Sequence, residues 1–202
     1  MSLLSIDLSA KLVGMSEVRP TIIGLAGTFA SGKDTLANYL VEKYGYLHIS
    51  TADMVRGEAM KRYGSIERPI LHKTATAVRQ TEGAGAFAQR ALDEAAGRPV
   101  IISGIRSLGE RDVLRKQGAL IVFVDAPVEV RYERMRSRQR DQETQLSLDE
   151  FRANEQREWY GGDDPADFNV RGIKAEADVV LENVMPLDEF LADAVTKIDI
   201  KA

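Results

Sequence analysis

The sequence predicts an α/β fold in three layers: a five-stranded parallel sheet with helices packed on both faces. Three observations lead there. Short apolar runs alternate with longer stretches of helical periodicity along the chain. The runs are apolar throughout rather than at every second residue, as strands buried on both faces require. A glycine-rich loop joins the first run to the first helical stretch, beyond the carboxyl end of a strand, where such sheets bind ligands.

The elements follow in order. Thr21 to Ala26 reads as a buried strand, and residues 32–44 as a helix with an apolar stripe at Leu36, Tyr39 and Leu40. Tyr46 to Ile49 is a short strand. Thr51 to Tyr63 is a helix opened by Ser50 or Thr51, whose hydroxyls suit an N-cap. Residues 70–96 are helical with a break near Gly83 and Gly85, and Pro99 to Ile102 is the third strand. A helix near 108–117 leads to the most apolar strand, Ala119 to Val124. Pro127 suits the first turn of a helix running to about Arg140. Another helix spans about Ser147 to Tyr160, Asp178 to Leu181 is the fifth strand, and residues 186–197 close the chain. Residues 1–20 form an N-terminal extension and 21–202 a single domain.

Composition narrows the function classes. At 202 residues, 44% hydrophobic and 29% charged, the chain suits a globular domain with a substantial core. A net charge of −4 argues against a nucleic-acid partner. The absence of cysteine excludes disulfides, thiolate chemistry and Cys-ligated zinc. No apolar run approaches the roughly 20 residues that span a bilayer, and no signal peptide is evident, so a cytoplasmic protein without a membrane partner is expected.

The loop Gly27-Thr28-Phe29-Ala30-Ser31-Gly32-Lys33 has the spacing of a P-loop, in which glycines let successive N–H groups point at phosphate oxygens. The helix that follows adds its N-terminal dipole, and Lys33 reaches the β/γ phosphates. Gly27, Thr28, Ala30, Ser31, Gly32 and Lys33 are therefore the expected ATP-binding residues. The Ser or Thr that usually follows the lysine as a Mg²⁺ ligand is replaced by Asp34, with Thr35 one place further on. Both are candidates for metal and nucleotide contact.

After the second strand, Thr51, Asp53 and Arg56 can present a hydroxyl, a carboxylate and a guanidinium to one ligand. The same pattern is equally compatible with a capped helix carrying an Asp53–Arg56 pair. The segment resembles the adenylate kinase signature in which an arginine grips the acceptor monophosphate. Ser103-Gly104-Ile105-Arg106 is similar to that family's Asp-Gly-x-x-Arg element, with the arginine one place early. The resemblance implies that Arg56 and Arg106 clamp an acceptor phosphate, a task suited to the guanidinium fork. On the helix after the fourth strand, Arg131, Arg134 and Arg138 share a face without acidic neighbours. Arg134 and Arg138 match the adenylate kinase arginines that meet the adenine and the transferring phosphate, whose loose anionic transition state calls for cationic charge. Ser103 stands where an acidic residue ordinarily orients Mg²⁺, which leaves Asp53 and Asp125 to replace it. Asp125 is equally suited to cap the helix that begins near Pro127.

The tail from Ala177 to Asn183, together with Arg152 and Gln156, resembles dephospho-CoA kinases. In those enzymes an acidic residue at the position of Asp53 is the presumed base. The span from residue 21 to about 195 is also similar to an uncharacterised archaeal-type nucleotide kinase group. Together the resemblances imply an ATP- and Mg²⁺-dependent kinase of a nucleotide-like acceptor, most simply a nucleoside monophosphate. Dephospho-CoA is the alternative acceptor, and a P-loop NTPase switch the alternative class. Residues 51–96 would be an acceptor-binding insert and 139–162 a mobile lid. Lys33, Asp53, Arg106 and Arg138 are the expected catalytic set, and Thr51, Asp53, Arg56 and Arg106 the acceptor set. His48 and His72 are expected to be structural or exposed, and Trp159 and Tyr160 to pack on the core or, alternatively, to close over a substrate base. Oligomeric state leaves no trace in the sequence.

Overall fold

The computed structural model describes residues 19–137 and 146–200. Five parallel strands form one sheet in the order β2-β3-β1-β4-β5. They are β1 (Ile22–Gly27), β2 (Leu47–Ser50), β3 (Val100–Ser103), β4 (Leu120–Asp125) and β5 (Val179–Glu182). The helices are α1 (Lys33–Tyr44), α2 (Thr51–Tyr63), α3 (Arg68–Glu82), α4 (Ala86–Ala95), α5 (Leu108–Lys116), α6 (Val128–Ser137), α7 (Leu148–Trp159), α8 (Val170–Ala175) and α9 (Leu187–Ile198). Strand boundaries fall within a residue or two of the sequence expectation. The short α8 was not anticipated, because six residues hold too little periodicity to stand out from a loop.

Strand alternation explains the two apolar layers. Ile23 and Leu25 of β1, Ile101 of β3 and Val122 and Val124 of β4 point to one face, where Leu36, Ala37 and Leu40 of α1 and Phe190, Ala194 and Ile198 of α9 cover them. The residues between them, Ala26, Ile102, Ile121 and Phe123, meet Ala88, Ala91 and Ala95 of α4, Leu114 of α5 and Ile173 of α8. Continuous apolar runs thus serve both faces at once. A smaller cluster, Ala75, Val78, Ala86 and Phe87, joins α3 to α4. Another packs Phe151 of α7 against Ala30 and Met135, which seats α7 over the glycine-rich loop and α6.

Local chemistry sets the helix starts. Ser50 accepts the Asp53 N–H, Ser107 the Glu110 N–H and Asn169 the Gly172 N–H, each an N-cap, while Ser147 and Glu150 form a reciprocal capping box at α7. Parallel register aligns the carboxyl ends of the strands: Ser50 and Leu25 both lie opposite Ser103, and Val124 lies opposite Gly27. The loops leaving β1, β2, β3 and β4 therefore gather at one edge of the sheet, and the site is built there. Among the described residues no helix is long and apolar enough to cross a membrane.

Candidate active site

The loop between β1 and α1 is shaped by residues that tolerate unusual backbone. Gly32 sits at φ 100°, and a Cβ there would lie 2.3 Å from the Asn183 side-chain nitrogen. Ala30 adopts φ 60°, a left-handed conformation uncommon for a residue with a side chain. The loop is held from both flanks. Thr28 Oγ1 donates to Asp125 Oδ1 at 2.8 Å, and Asn183 Nδ2 donates to the Ser31 carbonyl at 2.8 Å. Arg134 Nη2 reaches the Asn183 carbonyl at 3.0 Å. The buried Ser31 hydroxyl has no hydrogen-bond partner among the described residues, an orphaned polar atom inside the glycine-rich loop.

Beside this loop lies a cavity of about 270 Å³. Lys33 and Asp34 of α1, His48 of β2, Asp53 and Arg56 of α2, and Ser103 and Arg106 beyond β3 all line it. Residues far apart in the chain thus meet in one space. Lys33 Nζ is 3.2 Å from Asp34, and Arg56 Nη1 donates to Asp53 at 2.5 Å. The Thr51 hydroxyl donates inward to the Ser103 carbonyl at 3.1 Å, and neither Thr51 nor Thr35 is among the lining residues. His48, expected from the sequence to be structural or exposed, instead joins the cavity wall and sits 2.8 Å from the Ser103 hydroxyl. Burial pushes its pKa below the ordinary histidine value, against the opposing pull of Asp34 and Asp53.

Asp125, one of the two carboxylates considered as replacements for the acidic residue absent at Ser103, is fully engaged. Besides Thr28 it accepts the Ala126 N–H at 2.9 Å and Lys174 Nζ at 2.6 Å. Burial alone would raise its pKa, but these donors hold it below the usual carboxylate value. Arg131, read from the sequence as a cation without an acidic neighbour, is buried and paired with Glu155 of α7, with Nη2 to Oε2 at 2.9 Å. Its carboxylate comes from another helix, which sequence spacing on α6 does not reveal. Arg138, expected on the same face, lies outside the described residues.

The Arg106 turn is held at several points. Gly104 adopts φ 85° and passes so close to α2 that a Cβ would lie 2.9 Å from Thr51 Oγ1. The Arg106 N–H donates to Glu110 Oε2 at 2.9 Å, and its carbonyl accepts from the Asn169 N–H at 2.8 Å. Glu110 is itself bonded by Arg79 of α3, from Nη2 at 2.9 Å and Nε at 3.1 Å. The Arg106 side chain ion-pairs with Glu158 of α7, which also accepts from His72 of α3 at 3.2 Å. Burial would raise the Glu158 carboxyl, but Arg106, the His72 hydrogen bond and Arg68 hold it far below the carboxylate range. None of these pairings was legible in the sequence.

A family model described as an AAA domain matches residues 26–152, more than half of the chain. A UPF0200 protein of Pyrobaculum aerophilum is 30% identical over 180 residues, covering 88% of this chain and 95% of that one. The chain belongs to the AAA domain and UPF0200 families. Among solved structures, TT1252 from Thermus thermophilus has a TM-score of 0.56 at 22% identity, covering 89% of this chain and 96% of its own. A shikimate kinase from Acinetobacter baumannii, solved with shikimate, has a TM-score of 0.52 at 20% identity, covering 90% and 93%. At these identities the structural neighbours speak for the fold of this AAA-domain chain, which is that of the P-loop kinases.

Proposed function

We propose that the protein is an ATP-dependent phosphotransferase for a small nucleotide-like acceptor, in the first instance a nucleoside monophosphate. One observation carries this reading: a single cavity is lined both by Lys33, which follows the glycine-rich loop, and by Arg56 and Arg106. A nucleotide-dependent switch has no need of a second set of anion-binding cations beside its P-loop.

In this reading the loop amides from Thr28 to Gly32 and the Lys33 ammonium hold the ATP phosphates, and the orphaned Ser31 hydroxyl gains a partner there. Arg134, at the Ser31 carbonyl and Asn183, borders the nucleotide on the β5 side. Arg56 and Arg106 hold the acceptor's phosphate. An acceptor oxygen attacks the γ-phosphorus as the bond to the departing ADP oxygen breaks, so the protein's contribution is alignment and cationic charge rather than covalent chemistry. The carboxylates of Asp34 and Asp53 offer the hard oxygen donors that suit Mg²⁺, which with ATP bound would neutralise phosphate charge. Asp53 takes the acceptor's proton only where the acceptor is a hydroxyl.

A hydroxyl acceptor, as in dephospho-CoA, is the second reading, and a specific observation favours it. Both guanidiniums proposed for the acceptor phosphate already carry carboxylate partners, Asp53 on Arg56 and Glu158 on Arg106. The test is ATP turnover measured with each nucleoside monophosphate and with dephospho-CoA. The expected outcome is ADP formation that depends on one of them and falls at least tenfold in Arg106→Ala, mostly through acceptor KM. ATP hydrolysis indifferent to every acceptor would replace the kinase reading with that of an NTPase.

A further inference from the structure

Two buried carboxylates converge on the turn that carries Arg106, and they do different things. Glu110 bonds the Arg106 backbone N–H and pairs with Arg79, a fully buried pair whose side chains are 0% and 2% exposed. That pair belongs to the core. Glu158 instead meets the Arg106 side chain, which is 27% exposed and forms part of the cavity wall. Glu158 is itself 8% exposed and is not among the lining residues, so it holds the guanidinium from outside the cavity. His72 fixes the carboxylate in turn from α3.

We infer that Glu158 is a positioning residue for the acceptor's anionic group: from α7 it keeps the Arg106 guanidinium at the cavity wall, ready for a phosphate. The inference rests on the proposed role of Arg106 in acceptor binding. A guanidinium has five N–H donors, more than one carboxylate uses, so a side chain bonded to Glu158 still has donors for an incoming anion. A free arginine loses rotamer freedom when it binds. One already tethered by an ion pair has lost most of that freedom beforehand, and the planar fork arrives aimed. The coupling also joins three elements to one anion subsite: the turn after β3 through Arg106, α7 through Glu158 and α3 through His72.

Inorganic phosphate is the probe, titrated without nucleotide and followed through the backbone amides of Gly104 and Gly32, which separate the acceptor end from the P-loop. A double-mutant cycle compares wild type, Arg106→Ala, Glu158→Met and the double variant, methionine retaining volume but accepting no strong hydrogen bond. With Glu158 present, Arg106→Ala should weaken phosphate binding at Gly104 about tenfold, as loss of a charge-assisted bond predicts. In the Glu158→Met background it should change affinity by no more than about twofold, because an unaimed guanidinium contributes little. Glu158→Gln, whose amide oxygen still accepts, should restore the Arg106 dependence.

An equal cost of Arg106→Ala in both backgrounds makes Glu158 a bystander and overturns the inference. A larger cost in the Glu158→Met background means that Glu158 merely neutralises Arg106, and overturns it too. So does an absent cost in the wild type. Should Glu158→Met fail to fold, the Arg106 Nε–H resonance of the wild type decides. An ordered resonance that shifts on phosphate addition supports the tether, and a freely averaging one overturns it. No ATP enters this experiment, so failure of every acceptor in the turnover assay would sink the kinase reading while leaving this result legible.

Discussion

Asp125 gathers a threonine hydroxyl, a backbone amide and a lysine on one carboxylate, and such crowding leaves a mark on the pH dependence of stability. Its folded pKa is depressed from 3.8, and that of Glu158 from 4.5, so the stability they contribute is present above those values and lost as pH falls through the folded ones. His48 is depressed from 6.5, so its contribution is complete above that pH and declines below it as the unfolded state takes up the proton first. The expected profile is a shallow loss below about pH 6.5, at most about 1.4 kcal/mol per pH unit for one group, then a steeper loss below the carboxylate values. Denaturant melts across pH 3 to 8 check it, and His48→Asn should remove the upper slope while sparing the acid limb. Persistence of the upper slope in that variant would assign it elsewhere. These residues also mark where sequence reading stops. The P-loop was legible because its seven residues are contiguous and their spacing is itself the mechanism. His48 was not, since its partner Ser103 lies 55 residues away. Arg131 looked uncompensated because Glu155, 24 residues on, belongs to a different helix.

At the scale of elements, α3 is a helix that ties α7 and α5 together beside the Arg106 turn. His72 and Arg79 are seven residues apart, two turns along one face, and reach Glu158 of α7 and Glu110 of α5 respectively. The two attachments differ in energy. Removing one partner from the fully buried Arg79–Glu110 pair leaves a charge without compensation, so Glu110→Ala should destabilise by about 3–5 kcal/mol. The half-exposed Arg90–Glu82 pair, at 37% and 40%, should cost no more than about 1 kcal/mol when broken. Chemical denaturation of both variants tests the ranking, and equal costs would refute it. Element existence was readable from apolar runs and periodicity, as the strands and most helices show. Which helix leans on which was not, because tertiary ion pairs carry no periodic signature.

For the whole molecule, the parallel sheet brings four loops to one edge, so nucleotide binding should stabilise the domain as a unit. Mg²⁺–ATP at about 100 times its dissociation constant should add about 2.7 kcal/mol. For a domain of this size that corresponds to a rise in Tm of about 5–10 °C. Lys33→Ala should abolish most of the rise with little change in the Tm of the protein alone. A wild type unmoved by millimolar ATP would refute the nucleotide site.

The turn at Arg106 has a consequence for redesign. Both of its anchors, the N–H to Glu110 and the carbonyl to Asn169, are backbone bonds, indifferent to the side chain at that position. The turn is thus a socket whose plug can be exchanged. Under the acceptor role proposed for Arg106, substitutions at position 106 offer a route to altered acceptor preference that leaves the backbone anchors of the turn in place, and a single-site library there is a compact starting point for directed evolution.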